Sequence, residues 1–316
     1  MTRLREDDDN GDGEVDYIES YTYTYDADGR ELTDLYEEDW DGDGTADYIK
    51  SYVYTYNADG RLLTELYEEH EIESHYISLR TLTYDPAGNE VTERYEDDTN
   101  GDGVTDYIQS YTRTFDADGN QLLELYQSDS NNDGTVDYKQ SITSTYDANG
   151  NQLTYLYERD FGGDGTVNYV QSTTSTFDSN GYMLTYVQEI DENGDGTIDY
   201  RQSRTRTYDE NGNLLYRLDE TDNNNDGVLE YRLYSELTYD DAGRWITQQY
   251  EEMSQYFATA FTTTRTFDES GNLLSNFSEI DDDADGTLDR RQNSTYTYDA
   301  NGNRLTRLSQ EDTDAD

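Results

Sequence analysis

A repeat of 31 residues runs along the chain and restricts its fold more than any other feature. An aromatic residue followed by Asp or Asn begins a turn ten times, and the copies are 31 residues apart except for two intervals of 28. These aromatic residues are Tyr25, Tyr56, Tyr84, Phe115, Tyr146, Phe177, Tyr208, Tyr239, Phe267 and Tyr298. Such regular spacing predicts a single array of about ten units over residues 1–316.

Each unit is predicted to be a β-hairpin. In the fourth unit, period-2 alternation over residues 107–115 places Tyr107, Tyr111 and Phe115 on one face. The turn DADGN follows, with Gly119 where positive φ is needed, and QLLELYQ is the second strand. Because no stretch has sustained helical periodicity, the predicted fold class is all-β. We expect tandem hairpins of about 31 residues in an elongated antiparallel meander, a solenoid-like ribbon with loops between hairpins.

The composition adds a strong negative charge. Asp and Glu number 73 against 21 Lys and Arg, which gives a net charge of −52 with 32% hydrophobic residues. Hydropathy and charge alone would predict disorder, but 33 Tyr and a single Pro are typical of strands. Bound cations or high salt must offset the repulsion. The acidity argues against a nucleic-acid partner, and no apolar run is long enough for membrane insertion.

The turn segments YDANGNQLT, YDENGNLL and YDANGNRLT resemble the YD repeats of RHS-type proteins. Members of that family build coiled β-sheet shells, often around a secreted toxin, or extracellular arrays on cell surfaces. The repeat is longer here and contains an added acidic loop. No segment corresponds to the C-terminal core and self-cleavage region of the toxin shells. The resemblance implies an extracellular, all-β array.

An acidic loop of nine residues joins most hairpins. Its eight copies, numbered loops 1 to 8, are residues 8–16, 39–47, 98–106, 129–137, 160–168, 191–199, 222–230 and 281–289. Every copy has Asp at positions 1 and 5 and Gly at position 6. Position 3 is Asp or Asn except at Gly162, and position 9 is Asp, Asn or Glu.

This pattern predicts calcium binding. Ca²⁺ prefers about six to eight oxygen ligands, and side chains at alternate positions of a tight loop can supply them. The pattern resembles the first nine residues of an EF-hand loop and the shorter loops of dockerin-like and thrombospondin-type repeats. The Glu that an EF-hand has at position 12 is mostly absent, so position 9 is expected to coordinate directly. The alternative is that Asp, Asn and Gly are simply common in turns. The hairpin turns, however, use these residues without the 1-3-5-6-9 pattern.

We therefore predict about eight Ca²⁺ sites, of which loop 5 is the weakest and loops 2 and 8 are the tightest. The predicted ligands are Asp8, Asn10, Asp12, Asp16, Asp39, Asp41, Asp43, Asp47, Asp98, Asn100, Asp102, Asp106, Asp129, Asn131, Asp133, Asp137, Asp160, Asp164, Asn168, Asp191, Asn193, Asp195, Asp199, Asp222, Asn224, Asp226, Glu230, Asp281, Asp283, Asp285 and Asp289.

The two shorter units lack the acidic loop and contain the only histidines. His70 and His75 are five residues apart in one of these junctions, and we expect their side chains to face opposite sides. The chain has no Cys, and nothing singles out a nucleophile with its base. The sequence therefore predicts a protein that is not an enzyme and that has no catalytic or organic cofactor site.

The predicted function is structural. Calcium would hold together a filament, stalk or adhesin segment outside the cell or on its surface, with calcium ions and copies of the chain as partners. A toxin-enclosing shell of the RHS type and a carbohydrate-binding surface are the alternatives. Both ends of the sequence fall within the repeat, which favours a window of a longer array over terminal units that complete each other between subunits.

Overall fold

The computed structural model describes residues 2–8, 11–71 and 74–313, which form 21 β-strands and no helix. The strands are β1 Thr2–Asp7, β2 Tyr17–Tyr25, β3 Glu31–Asp39, β4 Tyr48–Tyr56, β5 Leu62–Glu71, β6 Ser74–Tyr84, β7 Glu90–Asp98, β8 Tyr107–Phe115, β9 Gln121–Asp129, β10 Tyr138–Tyr146, β11 Gln152–Asp160, β12 Tyr169–Phe177, β13 Met183–Asp191, β14 Tyr200–Tyr208, β15 Leu214–Asp222, β16 Tyr231–Tyr239, β17 Trp245–Ser254, β18 Ala258–Phe267, β19 Leu273–Asp281, β20 Arg290–Tyr298 and β21 Arg304–Asp312. The described residues contain no helix that could cross a membrane.

The chain divides into two compact units. The first comprises Met1–Ser144 and Tyr157–Asn168, and the second Thr145–Leu156 and Tyr169–Asp316. In the first unit each strand from β1 to β9 pairs with the next, and β9 pairs with β10. In the second unit each strand from β12 to β20 pairs with the next. All of these pairings are antiparallel, which confirms the predicted tandem hairpins.

The predicted faces of the hairpin are also confirmed. Tyr111 of β8 lies opposite Tyr126 of β9, and their ring centroids are 4.8 Å apart. The other face carries threonine pairs such as Thr24 and Thr33, whose hydroxyl oxygens are 2.7 Å apart. Aromatic pairs and Thr–Thr hydrogen bonds across strands each stabilise a sheet modestly, by about 0.2–1 kcal/mol.

In the first unit a β-bulge interrupts the β2–β3, β4–β5, β6–β7 and β8–β9 hairpins at the same place. In the fourth hairpin Thr114 pairs with Leu123 and Phe115 pairs with Gln121, so Leu122 has no partner opposite. An apolar residue stands at this position, seven places after the aromatic, in every unit. A bulge adds twist to the strand that carries it. The recurrent apolar residue therefore lies at the bulge.

The hairpin turn is organised by its first Asp. The Asp116 carboxylate accepts the backbone N–H of Asp118 at 3.0 Å and that of Asn120 at 2.8 Å. Gly119 has φ of 88°, a conformation that glycine adopts readily and other residues rarely do. The prediction of positive φ at Gly119 is thus correct.

The described residues enclose almost no hydrophobic core. Leu82 and Leu233 are the only buried apolar side chains among them, and no described side chain is completely buried. Several buried residues are instead aspartates at the ends of strands. Stability must then come from backbone hydrogen bonds and from pairs between neighbouring strands, as in other repeat proteins.

In the two junctions without an acidic loop, the two flanking strands continue to pair with each other through the junction. β5 and β6 pair as far as Glu71 opposite Ser74, and residues 72–73 between them lie outside the described part. β17 and β18 are joined by a short turn in which Ser254 donates its N–H to the Phe257 carbonyl at 2.7 Å. These junctions are therefore continuous hairpins.

Candidate metal centres

Loops 2 to 8 each begin on the last residue of a strand, and loop 1 begins one residue after the end of β1. In loops 2 to 8 the position-1 aspartate is buried; these residues are Asp39, Asp98, Asp129, Asp160, Asp191, Asp222 and Asp281. Asp8 in loop 1 is exposed, and Asn10, a predicted ligand, lies outside the described residues. A buried ionised carboxylate is unfavourable unless hydrogen bonds or a cation compensate it.

Backbone N–H groups of the loop supply part of that compensation. The Asp98 carboxylate accepts the N–H of Gly101 at 2.6 Å and that of Gly103 at 2.8 Å. All eight loops share the bond from the position-6 glycine, at 2.7–2.9 Å. Burial raises the pKa of Asp98, but the backbone N–H groups of Gly103, Gly101, Asn100 and Asp102 together outweigh burial and lower it. The carboxylate therefore stays ionised.

Two further bonds orient the side chains at positions 3 and 5. In loop 3 the Asn100 side-chain oxygen accepts the N–H of Asp102 at 2.9 Å. The Asp102 carboxylate in turn accepts the N–H of Val104 at 2.9 Å. The position-5 bond recurs in all eight loops at 2.8–2.9 Å. Hydrogen bonds from the loop backbone thus orient these side chains.

In loops 2 and 8 three carboxylates gather closely enough to share a metal ion. Their oxygens lie within 4.8 Å of one another; the residues are Asp39, Asp41 and Asp43 in loop 2, and Asp281, Asp283 and Asp285 in loop 8. The N–H of Asp285 stabilises ionised Asp283, but repulsion from the Asp285 and Asp289 carboxylates, burial and a hydrogen bond with Asp281 together outweigh it and raise the pKa of Asp283. A divalent cation would relieve that repulsion, and three carboxylates fit Ca²⁺ as part of its oxygen shell.

Position 9 closes the loop. In loop 3 the Asp106 carboxylate accepts the N–H of Thr99 at 2.9 Å, and its own N–H donates to the Asp97 carbonyl at 2.7 Å. The bond from position 2 to the position-9 side chain recurs in loops 2 to 8 at 2.6–2.9 Å. In loop 5 it occupies the only side-chain oxygen of Asn168. Direct coordination by position 9 stays a prediction.

Adjacent loops contact each other through position 4, a relationship that sequence reasoning missed. The backbone of Gly42 in loop 2 lies against the carbonyl of Val15 in loop 1, so that a Cβ on Gly42 would overlap it. Gly163 in loop 5 lies in the same way against Val136 in loop 4. In loop 4, Asn132 takes the glycine's place and its side-chain N–H donates to the Thr105 carbonyl at 2.8 Å. The recurrence of Gly and Asn at position 4 was the signal that could have revealed this contact.

Loops that follow a junction without a loop differ at this contact. Loop 3 follows the β5–β6 hairpin, and Gly101 there lies against the His75 ring. Loop 8 follows the β17–β18 hairpin and has Ala284 at position 4, with φ of 55°. Loop 1 begins the series, and a Cβ on Gly11 would meet nothing within 4 Å. The contact made by the residue at position 4 therefore depends on the junction that precedes the loop.

The prediction that His70 and His75 face opposite sides is wrong. The two residues lie directly opposite each other in β5 and β6, on the same face, with ring centroids 5.3 Å apart. Side chains alternate between the two faces of the sheet along a single strand. His70 and His75 lie on two paired strands, where residues directly opposite each other share a face. The His75 Nε2 atom is 2.9 Å from a Glu68 carboxylate oxygen.

No protein-family model matches the chain, and no curated protein matches it. Among solved structures, the chain is similar to a porin-like protein from Bacteroides uniformis, at 12% identity over 72% of this chain and 91% of that chain, with a TM-score of 0.25. It is also similar to TcdB2-TccC3 without its hypervariable C-terminal region, at 10% identity and a TM-score of 0.20. The Tc holotoxin pore of Photorhabdus luminescens matches at 11% identity and a TM-score of 0.14.

The alignments with the last two structures cover 98% of this chain but only 26% of theirs. These TM-scores do not establish a shared fold between the chain and the three structures. The all-β assignment comes from the strand pairings of the chain itself.

Proposed function

We propose that the chain is a calcium-stabilised structural repeat protein in which each acidic loop binds one Ca²⁺ at the joint between hairpins. The observation that supports this most is the recurrent position-1 aspartate, which is buried in seven loops beside position-5 carboxylates that the backbone holds in place. In loops 2 and 8 the aspartate at position 3 brings a third carboxylate to the same point.

Calcium would supply the cohesion that a hydrophobic core supplies elsewhere. The chain has a net charge of −52, and its described residues bury few apolar side chains. A ligand that binds the folded state alone stabilises it, by about 2.7 kcal/mol per site when its free concentration is 100 times its Kd. Several such sites would contribute a large part of the folding free energy of a repeat protein.

A location outside the cell or on its surface suits this role. Calcium loops in extracellular modules have dissociation constants of about 10⁻⁴–10⁻³ M, which match the calcium concentrations found there. The missing Glu at position 12 is consistent with modest affinity. We propose a non-enzymatic role in a filament, stalk or adhesin, with calcium ions and further copies of the chain as partners and without nucleic acid.

Thermal unfolding followed by circular dichroism tests the proposal. We expect a β-sheet spectrum and a high Tm in millimolar Ca²⁺, and a much lower Tm in EDTA. NaCl at matched ionic strength is the control for charge screening, and Mg²⁺ is the control for selectivity. An unchanged spectrum and Tm in EDTA would contradict calcium stabilisation. Calorimetric titration should give a stoichiometry near eight, one ion for each acidic loop.

A further inference from the structure

We propose that His70, His75 and Glu68 form a separate site for a transition-metal dication of the Zn²⁺ type. The site lies on the β5–β6 hairpin, in the junction of the first unit that has no acidic loop. It does not depend on calcium binding by the acidic loops, because it uses different residues and a different kind of ligand.

The hairpin register brings the three side chains to one face. His70 lies opposite His75, and Glu68 lies two residues before His70 on the same strand. Residues two apart on a strand share a face, and residues directly opposite have Cβ atoms about 4.5–5.5 Å apart. The arrangement therefore presents two imidazoles and one carboxylate side by side.

The spacing of the two imidazole rings suits a tetrahedral ion, and a rotation of the His70 side chain is needed to bring all three ligand atoms together. Two imidazoles on one zinc ion, each with a Zn–N distance of about 2.0–2.1 Å, have ring centroids about 5 Å apart. The observed centroid separation is 5.3 Å, and the His75 Nε2 atom is already 2.9 Å from Glu68 Oε1. His70 is exposed, so its ring can rotate to complete the site and the ion can enter from solvent.

The ligand chemistry distinguishes this site from the acidic loops. Imidazole nitrogen suits Zn²⁺, Cu²⁺ and Ni²⁺, whereas Ca²⁺ prefers oxygen alone. Two His and one carboxylate are also the ligands of some zinc sites that keep a fourth position open. The high negative charge of the chain attracts any dication, so selectivity must come from the histidines.

The packing of His75 supports a fixed site. Its ring lies against the backbone of Gly101, at position 4 of loop 3. In loops 2 and 5 the preceding acidic loop makes the corresponding contact, at Gly42 and Gly163. The contact with Gly101 restricts the imidazole before any ion binds, which is the preorganisation that a metal ligand needs. The β17–β18 junction has no histidine and serves as the internal comparison.

Zinc titration of the calcium-saturated chain tests the proposal. Calorimetry in saturating Ca²⁺ should show one Zn²⁺ site per chain that competing Ca²⁺ does not displace. His70→Gln or His75→Gln should weaken Zn²⁺ binding by more than about tenfold, since even indirect ligand contacts are worth about 10–100-fold. Visible absorption of the Co²⁺-substituted protein should show the bands of a four-coordinate ion, and both variants should lose them.

Two glutamates provide a control of equal charge. Glu68→Gln should weaken Zn²⁺ binding, whereas Glu71→Gln should not, because Glu71 lies opposite Ser74 on the other face. Circular dichroism and Ca²⁺ titration check that each variant still folds. Equal Zn²⁺ affinity in the parent and both histidine variants would overturn the proposal, since the ion would then bind the acidic loops. Absence of Zn²⁺ binding would overturn it as well.

Discussion

The backbone of Gly42 lies so close to the carbonyl oxygen of Val15 that no side chain fits between them. Gly42 belongs to loop 2 and Val15 to loop 1, so this contact joins two candidate metal centres of consecutive repeats. Gly11 stands at the same position of loop 1 with a similar φ, 74° against 69°, but has no neighbour within 4 Å of the Cβ position. The two glycines therefore differ mainly in the contact.

Substituting alanine for each of these glycines separates the contact from the backbone conformation. Gly11→Ala should lower the free energy of unfolding by about 1–2 kcal/mol, the cost of placing a non-glycine residue at positive φ. Gly42→Ala should lower it further, because its methyl group would overlap the Val15 carbonyl and separate the loops. Urea denaturation of both variants in Ca²⁺ measures the difference. Equal losses would show that the loops do not depend on this contact.

Restoring a carboxylate to loop 5 should strengthen its calcium binding. Gly162 occupies position 3, has no positive φ, and a Cβ there would meet only the Asp164 side chain at an ordinary 3.9 Å. Gly162→Asp therefore adds a third carboxylate without steric cost and should create the Asp triad seen in loops 2 and 8. Calorimetry should show that the weakest site gains affinity.

The matched control for this change is Gly162→Ala, which adds a Cβ without an oxygen. It should leave calcium affinity unchanged. A gain of affinity with alanine would mean that backbone rigidity, and not the added ligand, controls binding at loop 5.

Positions 1 and 3 of a loop should respond differently when calcium is absent. Asp39→Asn places an amide N–H₂ group among the N–H donors of Gly42 and Gly44, so the variant should unfold at lower urea even in EDTA. Asp41→Asn copies the residue found at position 3 of loop 3 and removes one of three clustered carboxylates, so it should leave stability in EDTA equal to or slightly above that of the parent. In Ca²⁺ both variants should bind more weakly. An Asp39→Asn variant with parental stability in EDTA would contradict the role of the N–H bonds.

The hairpin turns should make the metal-free protein sensitive to acid. The Asn120 side-chain amide and backbone N–H hold the pKa of Asp116 below its ordinary value. Because the folded-state pKa is lowered, the stability from these bonds is complete above the unfolded pKa of about 3.9 and is lost as the pH falls through the folded pKa. The contribution of these turns to the urea midpoint in EDTA should therefore fall as the pH is lowered from about 5, while the loss of net negative charge acts in the opposite direction.

An internal control exists in the second hairpin. Asn57 there accepts the same two N–H bonds, from Asp59 and Arg61, with a side chain that cannot titrate. Asp116→Asn should thus keep the turn and reduce the loss of stability in acid. NMR titration of the Asp116 carboxyl carbon gives the direct reading, and a midpoint at or above the ordinary value would contradict the prediction.

Strand positions could be predicted from the sequence because period-2 alternation and turn residues repeat ten times in phase. The strand predicted at residues 107–115 agrees with β8, and Gly119 has the expected positive φ. The Asp, Asn and Gly pattern of the acidic loops likewise predicted where carboxylates would gather, which occurs in loops 2 and 8. These properties depend on residues close together in the sequence, and the same pattern recurs in each repeat.

Features that depend on contacts between distant residues could not be predicted. The pairing of His70 with His75 depends on the register across a turn, which spacing along one strand does not determine. The use of Asp106 to close loop 3 depends on where the N–H of Thr99 points. The approach of Gly42 to Val15 depends on the distance between neighbouring hairpins.

The contact at position 4 also limits the order in which repeats can follow one another. A unit with glycine there can stand after a loop, as Gly42 does, or after a continuous hairpin, as Gly101 does. The unit with Ala284 carries the methyl group that Gly42 could not accommodate, and it follows the β17–β18 hairpin. Duplication or exchange of units by recombination would therefore succeed for some neighbours and fail for others. Asn132 stands after a loop although it has a side chain, because that side chain donates a hydrogen bond to the Thr105 carbonyl. The residue at position 4 therefore affects which unit can precede it.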